Sequence, residues 1–198
     1  MMKMVVDSSN KVTHHIRTLS KWETVALYNK TDIAMEKSLI ISINNTEDSD
    51  VTENILVDNN NFKILKLYFD DIWLYDGKSY NEVSTASSCK FMSLSDGFKI
   101  KNFIDNNHNV KNIIVHCTAG ISRSGAIAYC LAKYLNASRL SIYLNGTTGG
   151  NSWCYMLMCK ILNIRESSEE FEYLKEVSYQ ICHARLEKDG MDINIIRK

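Results

Sequence analysis

Asn112-Ile113-Ile114-Val115-His116-Cys117-Thr118-Ala119-Gly120-Ile121-Ser122-Arg123-Ser124-Gly125 is the stretch whose reading decides the fold. Ile113 to Val115 is a short, unbroken apolar run, which suits a central strand buried on both faces. From Gly125 to Leu135 the chain is apolar nearly all round, as a buried helix is. Strand, turn and helix in direct succession place the turn at a helix N-terminus, where oriented backbone N–H groups and the helix dipole favour an anion. The same field favours the thiolate form of Cys117, the nucleophilic form of cysteine. Arg123 offers a planar fork of donors that fits two oxygens of a phosphoryl group, which lysine cannot match. Gly120 lets the backbone turn tightly around the anion. Thr118, Ala119, Ile121 and Ser122 complete the loop. His116 reads as a support that orients it, against the plainer reading of an ordinary buried histidine. Ser124 reads as a donor to the departing sulfur, as the N-cap of the following helix, or as both.

The spacing Cys-x5-Arg is weak on its own, because the chain holds a second copy in Cys159-Lys160-Ile161-Leu162-Asn163-Ile164-Arg165. There the intervening residues are bulky, no glycine is present and the apolar pattern is helical, so no phosphate cradle is expected. The alternative for the first copy is a structural cysteine that happens to precede an arginine. Strand, glycine and helix around Cys117 argue against it.

Working outward, Ser38 to Ile43 reads as a buried strand, Ile55 to Val57 as a short one, and Ile64 to Phe69 as a strand with Leu65, Leu67 and Phe69 on one side. Phe91, Leu94 and Phe98, extended by Phe103 and Ile104, predict a helix stopped by the polar run Asp105 to Asn109. Asn44 to Asp50 and Asn59 to Asn61 read as turns. Phe171, Leu174, Val177 and Ile181 recur at helical spacing and predict a late helix packed on the domain by one face. Strands alternating with helices imply an α/β domain with a central, mostly parallel, twisted sheet flanked by helices.

The 198 residues, 45% of them hydrophobic, are expected to form one domain over 1–198. A net charge of zero gives no electrostatic case for a nucleic-acid or membrane partner. No run approaches the length of a membrane span and the start lacks a signal-peptide core, so a cytoplasmic protein is expected. Six cysteines without zinc spacing read as free thiols, with no metal and no cofactor. Proline is absent and Asn, Lys and Ile are abundant, as an AT-biased genome such as that of a large DNA virus would produce.

Val115-His116-Cys117-Thr118-Ala119-Gly120-Ile121-Ser122-Arg123-Ser124-Gly125 closely resembles the signature loop of the cysteine-based protein tyrosine phosphatases, in wording most like the dual-specificity branch. Weaker similarity covers roughly residues 25 to 180: Leu27 to Asn29 and Ile40 to Asn44 resemble the family's early strands, and Phe103 to Asp105 its helix before the loop. The resemblance implies hydrolysis of phosphotyrosine and phosphoserine or phosphothreonine in proteins through a cysteinyl-phosphate, with an aspartate as general acid and then base. The family's acid follows an alternating strand on its inward side, and Leu65-x-Leu67-x-Phe69-x-Asp71 continues that alternation, so Asp71 is the expected acid. Asp70 is the neighbour to distinguish, since registers shift at strand ends, and Asp76 and Asp96 are outside candidates. Asp71 lies farther from Cys117 than the family's acid does, which implies an insertion from Trp73 to about Cys89. Asn136 to Asn151, with Gly146, Gly149 and Gly150, replaces the usual connection after the loop's helix. Two other readings stand beside this one: a phosphatase of RNA 5′ ends or phosphoinositides, which the uncharged loop residues disfavour, and a weakly active phospho-binding relative.

Overall fold

The computed structural model describes residues 12–30, 36–46, 55–71, 90–137 and 150–165. Among these the chain forms β1 (His15–Ser20), α1 (Lys21–Asn29), β2 (Ser38–Asn44), β3 (Phe62–Tyr68), α2 (Leu94–Asp105), β4 (Asn112–Cys117), α3 (Ser122–Tyr134) and α4 (Ser152–Leu162). The four strands make one parallel sheet in the order β1-β4-β2-β3. The expected α/β class and parallel sheet are therefore present. Alternation within the strands sorts side chains onto two faces. Leu39, Ile41, Ile43, Leu67, Ile113 and Val115 join the core that α2, α3 and α4 cover. Ile40, Phe62 and Ile114 face the other way, under Leu27 and Tyr28 of α1. β4 lies between β1 and β2, which is why its apolar run is continuous rather than alternating.

Parallel strands bring all four C-terminal ends to one edge, so Ser20, Asn44, Tyr68 and Cys117 lie along a single rim. In open α/β sheets ligands bind beyond this rim.

The strand expected at Ile55 to Val57 does not form. Leu56 is buried, but the Tyr28 hydroxyl donates to the Val57 carbonyl at 3.0 Å and accepts from the Val57 amide at 3.4 Å. A side chain thus takes the place of a ladder. Leu27 to Asn29, likened to an early strand, closes α1 instead. The strand at that end of the fold is β1, whose mixed composition carries no clear period-two signal. The expected late helix around Phe171 to Ile181 lies outside the described residues.

For α2 the helix and its stop match the expectation, but the buried face differs. Leu94 and Phe98 are about half exposed, while Gly97, Ile100 and Ile104 are buried. The helix begins only at Leu94, where Ser93 and Asp96 form a reciprocal capping box. Phe91 therefore precedes the helix and packs edge-on against Trp153, with ring centroids 6.0 Å apart. A phase counted from Phe91 points to the wrong side.

The two candidate faces make different predictions. Ile100→Ala should cost about 2–5 kcal/mol in denaturant unfolding, and Phe98→Ala under about 1 kcal/mol. Equal losses would restore the face read from Phe91.

Candidate active site

The turn between β4 and α3 is shaped by its contact with β1. Ser20 pairs in register with Cys117, and the Lys21 amide donates to the Thr118 carbonyl at 3.2 Å. Gly120 has φ +77°, and a Cβ there would fall 2.5 Å from the Leu19 carbonyl carbon and 2.6 Å from the Ser20 nitrogen. Both conformation and space demand glycine. No side chain caps α3, whose N-cap is Ile121. Among the described residues, no backbone carbonyl accepts from the N–H groups of Ala119 to Arg123. The turn thus leaves a run of donors at a helix N-terminus, the arrangement that takes up an anion.

Cys117 ends β4 at 1% exposure, and its Sγ lies 3.2 Å from Oγ of the fully buried Ser124. Ser124 is therefore not the cap of α3. It is the helix's third residue, and its hydroxyl lies against the sulfur. His116 is fully buried in β4, paired in register with Leu19 and Ser42.

Arg123 is 2% exposed. It donates through Nη1 to the Phe69 carbonyl at 2.6 Å and through Nη2 to Thr118 Oγ1 at 3.3 Å. Its Nε is buried with no hydrogen-bond partner among the described residues; Asp71 Oδ2 lies 3.9 Å away. A buried donor left unmade is costly, so this nitrogen is a place where an incoming oxyanion gains a bond without losing one.

The neighbouring aspartates go to different places. Asp71 Oδ1 accepts from the Ser122 hydroxyl at 2.7 Å and from Asn151 Nδ2 at 2.9 Å, so its carboxylate sits over the loop. Asp70 turns away and accepts from the amide and hydroxyl of Thr46 and from the Lys90 amide at 2.7 Å. Burial pushes the Asp70 carboxyl up, but the Thr46 and Lys90 hydrogen bonds and the charge of Arg123 outweigh it and hold the group below its usual range. Asp96 belongs to the capping box of α2, and Asp76 lies outside the described residues.

Asn151 was not legible as a site residue. Its side chain caps α4 by accepting from the Cys154 amide at 3.0 Å while donating to Asp71, and its own amide donates to the Ser122 carbonyl at 3.2 Å. The preceding Gly150 presses so closely on Ser122 that a Cβ would lie 2.0 Å from its carbonyl oxygen. An asparagine just before the apolar pattern of Trp153 and Leu157 is an N-cap signal, and it was the one available clue. Of 136–151, residues 138–149 fall outside the described residues, as does the insertion from 73 to 89.

The second Cys-x5-Arg copy runs through the end of α4 into Asn163 at φ 54° and forms no such turn. Among the described residues, no group of three or more His, Cys, Asp or Glu is placed to hold a metal, and no helix is long and apolar enough to cross a membrane.

No protein-family model and no curated protein matches the chain. Among solved structures it is similar to the human tyrosine phosphatase-like serine/threonine/tyrosine-interacting protein, at 19% identity and TM-score 0.42, over 73% of this chain and 85% of that one. Tk-PTP in its active form matches at 14% identity and TM-score 0.35, over 85% and 94% of the two chains. OH1 from the Orf virus, a tyrosine phosphatase with triple substrate specificity, matches at 15% identity and TM-score 0.32, over 86% and 83%.

Two outcomes test the site's construction. Gly120→Ala should weaken inorganic phosphate binding by at least tenfold in a calorimetric titration, because the loop cannot keep its path beside Leu19; unchanged affinity would show that the turn is not the anion site. For Asp70, a folded carboxyl held below the unfolded value adds stability that is present above the unfolded pKa and lost as pH falls through the folded one. The Tm deficit of Asp70→Asn should therefore be full above about pH 5 and shrink below about pH 4. A deficit independent of pH would count against this account of Asp70.

Proposed function

We propose that the protein is a cysteine-dependent phosphatase of the dual-specificity type, acting on phosphotyrosine and phosphoserine or phosphothreonine esters in proteins. The observation that carries this reading is the buried Arg123 Nε, which has no hydrogen-bond partner among the described residues, beside loop amides from which no backbone carbonyl of those residues accepts, with the Cys117 sulfur at the loop's start and Ser124 Oγ 3.2 Å from it. The signature wording of residues 115–125 supports the same chemistry.

In this reading the loop amides and Arg123 hold the phosphate oxygens while the Cys117 thiolate attacks phosphorus and the ester P–O bond breaks. Asp71 protonates the leaving oxygen, then takes a proton from the water that cleaves the P–S bond. The Ser124 hydroxyl donates to the sulfur as it departs. Thr118 keeps the guanidinium in plane. Ser122 and Asn151 hold the Asp71 carboxylate above the loop, and an entering phosphate, competing for Arg123, releases it toward the ester oxygen. No step calls for a metal or other cofactor. The single domain of 1–198, its core at about 25–180, and a reducing cytoplasmic setting belong to this proposal.

Hydrolysis of an aryl phosphate tests it. Cys117→Ser should abolish turnover, Asp71→Asn should lower kcat by about 10²–10⁴, and Asp70→Asn, compared at a temperature where it is folded, should change kcat little. Equal rates for wild type and Cys117→Ser would leave a phospho-binding module in place of an enzyme. Equal, small effects of both aspartate changes would remove Asp71 as the acid. A panel of phosphopeptides, phosphoinositides and triphosphorylated RNA tests the substrate class, with phosphopeptides expected to turn over fastest.

A further inference from the structure

We propose that Cys130 and Cys159 form a second thiol centre, away from the phosphate loop, which hydroperoxides oxidise to a disulfide joining α3 to α4. Their sulfurs lie 3.9 Å apart across the packed helices. A disulfide needs an S–S distance near 2.05 Å, so the sulfurs must close by about 1.9 Å, within the reach of side-chain rotation and a small helix shift.

The two thiols are unequal in a way that suits the two steps of disulfide formation. Cys159 is partly exposed, and Cys130 is fully buried beneath it, its sulfur within 3.8 Å of the Tyr155 carbonyl oxygen as well as of Cys159 at 3.9 Å. The hydrogen bond with Cys130 holds the Cys159 thiol below its ordinary range; burial opposes this and the Lys133 ammonium assists it. Thiolate character and access together mark the cysteine that meets an oxidant first. Cys154 is the contrast: it is fully buried, and burial pushes its thiol far up, away from the thiolate.

The chemistry balances with hydrogen peroxide as oxidant. The Cys159 thiolate attacks one peroxide oxygen, the O–O bond breaks, hydroxide leaves and Cys159 becomes a sulfenic acid. Cys130 then attacks that sulfur, the S–O bond breaks and water leaves, taking the Cys130 proton. The two sulfurs have lost two electrons and the peroxide has gained them. The product fastens α3, which begins at the phosphate loop, to α4, whose cap Asn151 holds Asp71.

The centre is tested in the full-length Cys117→Ser protein, so the outcome is independent of the phosphatase reading. After stepwise hydrogen peroxide, non-reducing peptide mapping should yield one cross-linked pair, Cys130 to Cys159, with the intact protein lighter by two hydrogens and restored by dithiothreitol. The oxidised protein should melt at a higher temperature than the reduced one. Adding Cys130→Ala should trap the sulfenic acid on Cys159 as a dimedone adduct, and adding Cys159→Ser should abolish both products. Sulfinic acid on Cys159 with no cross-link while Cys130 is present, or cross-links only through other cysteines, would overturn the proposal.

Discussion

A guanidinium buried to 2% exposure ties the working edge of this sheet together. Arg123 starts on α3, reaches the carbonyl that follows β3 and meets the hydroxyl of the loop after β4. One side chain thus ties the segment after β3, 54 residues away, to the turn between β4 and α3. A charge so placed is tolerable only where it is paired and hydrogen-bonded; left alone it costs several kcal/mol. Here its compensation is incomplete, because Nε has no partner among the described residues and the Asp71 carboxylate stands at 3.9 Å. An oxyanion seated in the turn would supply what is missing, and the proposed phosphate site rests on this same point.

The adjacent aspartates show how strand geometry divides labour. Successive residues leave a strand on opposite sides. After β3, that rule sends Asp70 to Thr46 and Lys90, where it fastens the β2 and β3 ends, and sends Asp71 to Ser122 and Asn151 above the loop. A one-residue slip would swap their surroundings, bringing Asp70 to Ser122 and Asn151 and leaving the Thr46–Lys90 clamp empty. Register at the end of β3 therefore fixes which carboxylate stands over the loop as well as which side chains enter the core.

What the sequence made legible follows from how local each cause is. The buried run Ile113 to Val115, the glycine turn and the apolar helix after it are neighbours in the chain, and the structure places them as strand, turn and helix. Alternation from Leu65 to Asp71 likewise carried the acid candidate to the loop's mouth. The errors lie where a distant partner decides. Tyr28 satisfies Val57 and removes a strand, and a capping box at Ser93 fixes the phase of α2 against a count begun at Phe91. β1 was missed because only half of it is core, and Asn151 because its partner Asp71 is 80 residues away.

The position of Asn151 makes the helix pair α3 and α4 part of the site and not only its backing. α3 carries the sulfur's partner Ser124 and the arginine; α4 carries, through its cap, the carboxylate's partner. A change in how these helices pack moves Asp71 relative to Cys117 without touching either residue. Gly150, lodged against the Ser122 carbonyl, is what lets the cap approach so near. In enzymes, misplacement of a reacting group by an ångström can cost about a hundredfold in rate, so the proposed role of Asp71 depends on this packing. The α3–α4 interface, where the Cys130 and Cys159 sulfurs lie 3.9 Å apart, is thus the part of the core to which the position of Asp71 over the loop is tied.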